Sequence, residues 1–194
     1  MKLSYKQIEE FNQNGLLVLK KFANQNICND ILQKAKNHLE NKTAPIESEE
    51  EFSQSKEKPI NIRRLRQAFN REEVFQKWMT EDKIKPILGQ LLNEKPVLVL
   101  AHHNSIMTKM PIDNTRTPWH QDIRYWNYEN DNLISVWLSL DDETIKNGLL
   151  EFIPSSHKIN FDKKQFDEKN NFSDDYSKNK ELIKTAVHSN LQKG

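Results

Sequence analysis

Between Asn26 and Asn41, apolar residues fall at Ile27, Ile31, Leu32, Ala35 and Leu39, the spacing of one face of an α-helix. A second apolar stripe, Ile84, Ile87, Leu88 and Leu91, predicts a helix over Lys83 to Leu92, and Glu72 to Met79 is helical in the same sense. At the start of the chain Ser4 and Gln7 form a capping-box pair that opens a short helix through Phe11, because each side chain can satisfy a free backbone N–H of the first turn. Gly15 ends that helix, and Leu16 to Leu19 read as a buried strand. Thr43 to Pro59, acidic, polar and bounded by prolines, reads as a surface loop.

The pattern changes at Pro96. Val97 to Ala101, Ser105 to Lys109, Trp119 to Arg124 and Leu133 to Leu140 are short, β-rich and bounded by turn residues. His157 to Lys180 is polar, rich in Asn, Asp and Lys, and reads as a long mobile loop between strands. A helical first half and a stranded second half predict helices packed on a sheet system, which periodicity alone does not assign to one sandwich or another. No internal repeat is present.

Composition narrows the function classes. At 194 residues the chain makes one domain with its own core. A net charge of +1 gives no electrostatic case for nucleic acid or an anionic membrane. The single cysteine, Cys28, excludes an internal disulfide framework and falls in an apolar-periodic helix, as a buried inert thiol does. The first residues lack the apolar core of a signal peptide, and no run approaches the ~20 apolar residues of a membrane span. A soluble, reducing, cytoplasmic compartment is the expectation.

The candidate chemistry centres on His120-Gln121-Asp122, in the run Thr117-Pro-Trp-His-Gln-Asp-Ile-Arg-Tyr-Trp126. Residues two apart on a strand share a face, so an imidazole and a carboxylate at this spacing can meet one metal ion. Two His and one carboxylate on one face of Fe(II) leave positions open for a co-substrate and O2. Alone, His-x-Asp is a weak motif, and a surface hydrogen-bonded pair is its commoner meaning.

Its surroundings change that balance. Ile106-Met-Thr-Lys-Met-Pro-Ile112 precedes it. Leu133-Ile-Ser-Val-Trp-Leu-Ser-Leu-Asp-Asp142 and Asn147-Gly-Leu-Leu-Glu-Phe-Ile-Pro-Ser-Ser-His-Lys158 follow it, and Gln7 to Leu19 supplies an opening helix, Gly turn and strand. Together these segments resemble the phytanoyl-CoA dioxygenase family over most of the chain; Ser155 departs from it, standing where the family usually has Gly. The resemblance implies a fold that is mainly β with N-terminal helices (α+β), a cupin-like double-stranded β-helix or jelly roll. Residues 1–95 would form its largely helical part and residues 96–194 its jelly-roll part. It also implies Fe(II) as cofactor, with 2-oxoglutarate and O2 as co-substrates, and hydroxylation of a small molecule at a C–H bond with release of succinate and CO2. His120 and Asp122 are then metal ligands, and an Asp at 122 argues against the halogenating relatives.

In that family a second metal His and an Arg for the far carboxylate of 2-oxoglutarate follow a strand and a turn that match the stretch ending at Gly194. The resemblance therefore implies that the jelly roll is incomplete at the C-terminus and that the natural chain continues. His188 is the only later His in a strand-like stretch and is a candidate for the missing ligand, although an ordinary strand residue is its commoner meaning. His157 sits in the Ser-Ser-His-Lys turn and is not assigned to metal. His102 and His103 alternate faces, so at most one points inward, and His38 lies on a surface helix.

Further roles come from the same resemblance and from position. Lys109 and Trp137 are the cofactor-binding candidates, Lys109 as donor to a carboxylate of 2-oxoglutarate and Trp137 as a wall of its pocket. Their bland alternatives are a solvated lysine and a core aromatic. Arg124, two residues after Asp122, could meet an anionic substrate or lie at the rim. Arg63, Arg64 and Arg66 form a basic cluster that could bind carboxylate or phosphate, or be a solvated face. Of Trp119 and Trp126, one could wall the pocket while the other packs outside. A non-catalytic jelly-roll binding or scaffold protein with a broken triad, and a cupin-like metalloenzyme using Zn(II) or Mn(II) without 2-oxoglutarate, are the competing readings. Neither the substrate nor the oligomeric state is written in the sequence.

Overall fold

The fold is taken from a computed structural model that describes residues 1–53, 61–102, 104–109 and 116–194. The N-terminal half follows the pattern. Helix α1 (Tyr5–Asn14) opens on the Ser4–Gln7 capping box and stops at Gly15, whose φ of 78° is the left-handed conformation that glycine takes without cost. Helix α2 (Gln25–Glu40) is capped by Asn24, whose side chain accepts from the Asn26 N–H at 2.8 Å. Asn24→Ala is expected to lower stability by about 1 kcal/mol, read as a shift in denaturant midpoint with the slope unchanged.

The acidic stretch expected as a loop is ordered in its described part: strand β1 (Ile46–Ser48) runs into helix α3 (Glu49–Ser53). The remainder of that stretch, residues 54–59, lies outside the described residues. Strand β1 pairs antiparallel with β2 (Ile62–Arg66), and β2 pairs antiparallel with β3 (Ser105–Met107), giving the order β1-β2-β3. Helices α4 (Glu73–Met79) and α5 (Ile84–Leu92) follow β2. Ile31 of α2, Ala68 and Phe75 of α4 form one core cluster, with Leu138 and Leu140 packed against it. Ala35, Ile62 and Leu65 form a second against the sheet, and Leu65 is fully buried.

The expectation of a mainly β fold is corrected. Among the described residues, helices outweigh strands, and the second sheet is the short antiparallel pair β4 (Glu151–Phe152) and β5 (Val187–His188). Of the four segments expected as strands after Pro96, only 105–107 enters a ladder. Leu16 to Leu19 is not a strand either. Apolar, β-rich composition makes a strand only when a neighbour accepts and donates along the backbone. Val97 to Leu100 have no such neighbour among the described residues and stay 37 to 82% exposed. Asp122–Tyr125 instead closes a 3-10 turn, with the Arg124 N–H donating to the Gln121 carbonyl at 3.0 Å.

Residues 157–180 are also not the mobile loop expected. Phe161 and Phe172 are buried with Ile153, and Phe166 meets both rings edge-on. The side chain of Asn179, fully buried, exchanges hydrogen bonds with Gln165, and helix α6 (Ser177–Ile183) closes the segment. The polar composition hid a small aromatic core, tied to the rest of the chain by the Phe172 N–H donating to the Trp119 carbonyl at 2.6 Å. No helix among the described residues is long and apolar enough to cross a membrane.

Candidate metal centre

The Thr117–Asp122 segment brings the two metal-ligand candidates together. His120 Nδ1 lies 2.7 Å from the Pro118 carbonyl oxygen. A carbonyl only accepts, so Nδ1 carries the proton and Nε2 is the ring nitrogen left to face the site. Nε2 lies 3.3 Å from Asp122 Oδ1, while the other carboxylate oxygen, Oδ2, accepts from Ser135 Oγ at 3.0 Å. The side chains converge although Asp122 opens a 3-10 turn rather than continuing a strand, because Gln121 between them is extended (φ −116°, ψ 123°).

Each donor is thus backed on its far side, the imidazole by a carbonyl and the carboxylate by a hydroxyl. Such outer partners fix tautomer and orientation in metal sites. In the metal-free protein the Asp122 carboxylate raises the His120 pKa above its ordinary 6.5. Burial opposes the rise, the Pro118 carbonyl adds to it, and the Arg63 charge works against it. One imidazole nitrogen and one carboxylate oxygen have the chemistry that Fe(II) accepts, and would make two of the three donors of a facial triad. Among the described residues no third His, Cys, Asp or Glu joins them.

The other candidates are placed as follows. His188 is exposed on β5 and pairs with Glu151 at 3.4 Å, and among the described residues it does not join His120 and Asp122 in a group of three possible ligands. His157 lies across Gly15, where an added Cβ would come within 2.3 Å of Nδ1, and its Nε2 is 3.2 Å from the Asn12 carbonyl. His102 stacks on Trp126 at 5.2 Å, while His103 lies outside the described residues. His38 is more than a surface residue: its ring stands between Glu72 (3.1 Å) and Arg71 (3.2 Å). Arg124 turns from the site to stack over the Phe166 ring at 3.5 Å. The basic cluster is not a solvated face, because Arg63, Arg64 and Arg66 all converge on Glu47.

Lys109 and Trp137 do not line the space beside His120. The alkyl chain of Lys109 runs over Gly148, whose φ of +80° and missing Cβ leave room for it. The Asn147 side chain holds that turn through the backbone of Asp142 and Thr144. Burial depresses the Lys109 pKa, the Arg63 charge adds to this, and Glu49 and Glu143 oppose it. Trp137 Nε1 donates to Glu143 Oε1 at 2.6 Å. The two candidates therefore share Glu143, a residue that sequence reasoning missed because it closes the acidic run Asp141-Asp142-Glu143 and looks like solvated charge.

A cavity of about 130 Å³ opens beside His120, walled by Leu16, Trp119, Ile153, Phe161 and Phe172 with Glu151 at its polar side. Trp119 Nε1 is buried there without a hydrogen-bond partner among the described residues. Ser155, the departure from the usual Gly, adopts the left-handed conformation that Gly favours (φ 63°). Its hydroxyl donates to the Gln13 carbonyl at 2.7 Å, so the turn survives the substitution.

The family profile described as Phytanoyl-CoA dioxygenase (PhyH) matches residues 11–194. A Stutzerimonas stutzeri protein named "Probable alpha-ketoglutarate-dependent hypophosphite dioxygenase" is 31% identical over 77 residues, 40% of this chain and 26% of that protein. A Caenorhabditis elegans "Phytanoyl-CoA dioxygenase domain-containing protein 1 homolog" is 29% identical over 85 residues, 43% of this chain and 28% of that protein. The matched stretches thus span about a quarter of the length of these relatives.

Proposed function

Since this chain belongs to the phytanoyl-CoA dioxygenase family, we propose that it is an Fe(II)- and 2-oxoglutarate-dependent oxygenase that hydroxylates a small molecule at a C–H bond. His120 and Asp122 are two of the protein ligands of the iron. The observation that carries this reading is the facing of His120 Nε2 and Asp122 Oδ1, each supported from behind by a hydrogen bond. The iron, when bound, supplies activation of O2 coupled to oxidative decarboxylation of 2-oxoglutarate.

The chain's own residues do the rest. Pro118 and Ser135 keep imidazole and carboxylate aimed at one point, which removes the entropy of assembling them at each turnover. Lys109 is the candidate donor to a co-substrate carboxylate, since a desolvated ammonium gains more from an anion than a hydrated one does. Glu143 balances its charge and holds Trp137. The apolar walls of the cavity beside His120 exclude water and hold the substrate group to be oxidised.

The test is succinate formation from 2-oxoglutarate by the anaerobically loaded protein on admission of air, with a panel of small substrates that includes hypophosphite because of the relative's name. Iron-dependent succinate is the expected result, and none in any condition overturns the reading. A second reading, a non-catalytic binding protein, is favoured by the two-donor centre found among the described residues. It predicts no Fe(II) binding in the same preparation.

A further inference from the structure

We propose that Arg63 is a positioning residue for the His120–Asp122 pair and acts through Thr117, an inference that rests on reading that pair as a metal site. Arg63 is 2% exposed. Its Nη1 donates to Glu47 Oε1 at 3.1 Å, its Nη2 donates to Thr117 Oγ1 at 2.7 Å, and its Nε lies 3.9 Å from Glu49 Oε2. The guanidinium plane covers the Phe52 ring at 3.6 Å. Its own backbone is fixed as well, because the Thr108 N–H donates to the Arg63 carbonyl at 3.0 Å.

The group is therefore held by two acids, a ring and a strand, and its remaining donor reaches out of the sheet to the segment that carries the ligands. Thr117 stands three residues before His120. Between them Pro118 has a restricted φ, and its carbonyl orients the His120 ring. A continuous set of contacts thus runs from the middle strand of the sheet to the imidazole. Burying a guanidinium is expensive, and apolar residues of similar volume would stabilise the fold at least as well. What they could not do is fix a loop hydroxyl at one point, as a planar donor fork does.

The variants that test this are Thr117→Val, which removes the hydroxyl and keeps the shape, and Arg63→Lys, which keeps the charge but loses the fork. The control is Arg66→Gln, which disturbs the same Glu47 carboxylate from its exposed side without touching residues 117–120. Two readouts are taken on the whole chain: the dissociation constant for Mn(II) without O2, and the His120 Nδ1–H resonance of the metal-free protein at fixed low temperature and pH.

Thr117→Val and Arg63→Lys are expected to weaken Mn(II) about 10-fold, the lower end of what loss of a supporting contact does in metal sites, and to lose or shift the Nδ1–H signal. Arg66→Gln is expected to keep both near wild type. A Thr117→Val protein with wild-type affinity and ring signal overturns the proposal, and so does an Arg66→Gln protein that changes as much as Thr117→Val. Should the wild type bind no Mn(II), the metal reading fails, and the ring signal of the metal-free variants still decides whether Arg63 positions His120.

Discussion

Asp122→Ala is expected to abolish Fe(II) binding and 2-oxoglutarate turnover while leaving the fold intact. The two effects separate because the Asp122 side chain is 30% exposed and its contacts include one hydroxyl and one partly exposed imidazole. Losing such contacts costs about 1 kcal/mol or less after solvent screening. Losing a ligand from this two-donor centre removes the carboxylate that, among the described residues, faces His120 Nε2. Affinity should fall by more than about 100-fold, beyond what loss of an outer contact alone produces. Anaerobic Fe(II) titration, succinate assay and a denaturation midpoint measured on one preparation check the prediction. Wild-type decarboxylation of 2-oxoglutarate by Asp122→Ala would remove His120 and Asp122 from the iron. His120→Ala should show the same pattern, since the two side chains face one point.

What could be read from the sequence, and what could not, divides along a physical line. Local signals came through: the Ser4–Gln7 box, the Gly15 stop and the apolar stripe of α2 are all present in the fold. Each depends on residues within one helical turn of one another. The strands after Pro96 did not follow, because an extended apolar run such as Val97 to Leu100 is a strand only if another segment pairs with it, and that partner is not encoded in the run itself. The family's jelly roll is correspondingly not assembled among the described residues, where two small antiparallel sheets stand. In the site, the proximity of His120 and Asp122 was legible from their spacing. Their supports were not, since Ser135 and Arg63 lie far from the motif in sequence and carry no signature of their own. Arg63 and its neighbours looked like a surface patch because charge usually is solvated. Only the fold shows a carboxylate from another strand among them.

That carboxylate, Glu47, makes the largest stability prediction. Its side chain is 10% exposed and meets Arg66 Nη2 at 2.7 Å, Arg63 Nη1 at 3.1 Å and Arg64 Nε at 3.7 Å. Glu47→Gln keeps the shape and removes the charge that three guanidiniums share. Arg66, 43% exposed, can turn to Glu51 or to water, but Arg63, with a side chain only 3% exposed, cannot. Breaking a buried pair in this way costs about 3–5 kcal/mol, far more than Asn24→Ala. The pH dependence identifies the source. Burial alone would raise the Glu47 pKa, but Arg66, Arg64 and Arg63 outweigh it and hold the carboxyl below its ordinary 4.5. A depressed folded pKa contributes stability that is fully present above the ordinary value and is lost as pH falls through the folded one. Wild type and Glu47→Gln should therefore differ by a constant amount above pH 4.5 and converge as the solution is acidified below it. Denaturant midpoints across that range check this. A gap that persists undiminished into strong acid would mean that the carboxylate charge is not what the variant lost. Because Arg63 also holds Thr117, the same variant should weaken metal binding together with stability, whereas Asp122→Ala should remove metal binding alone.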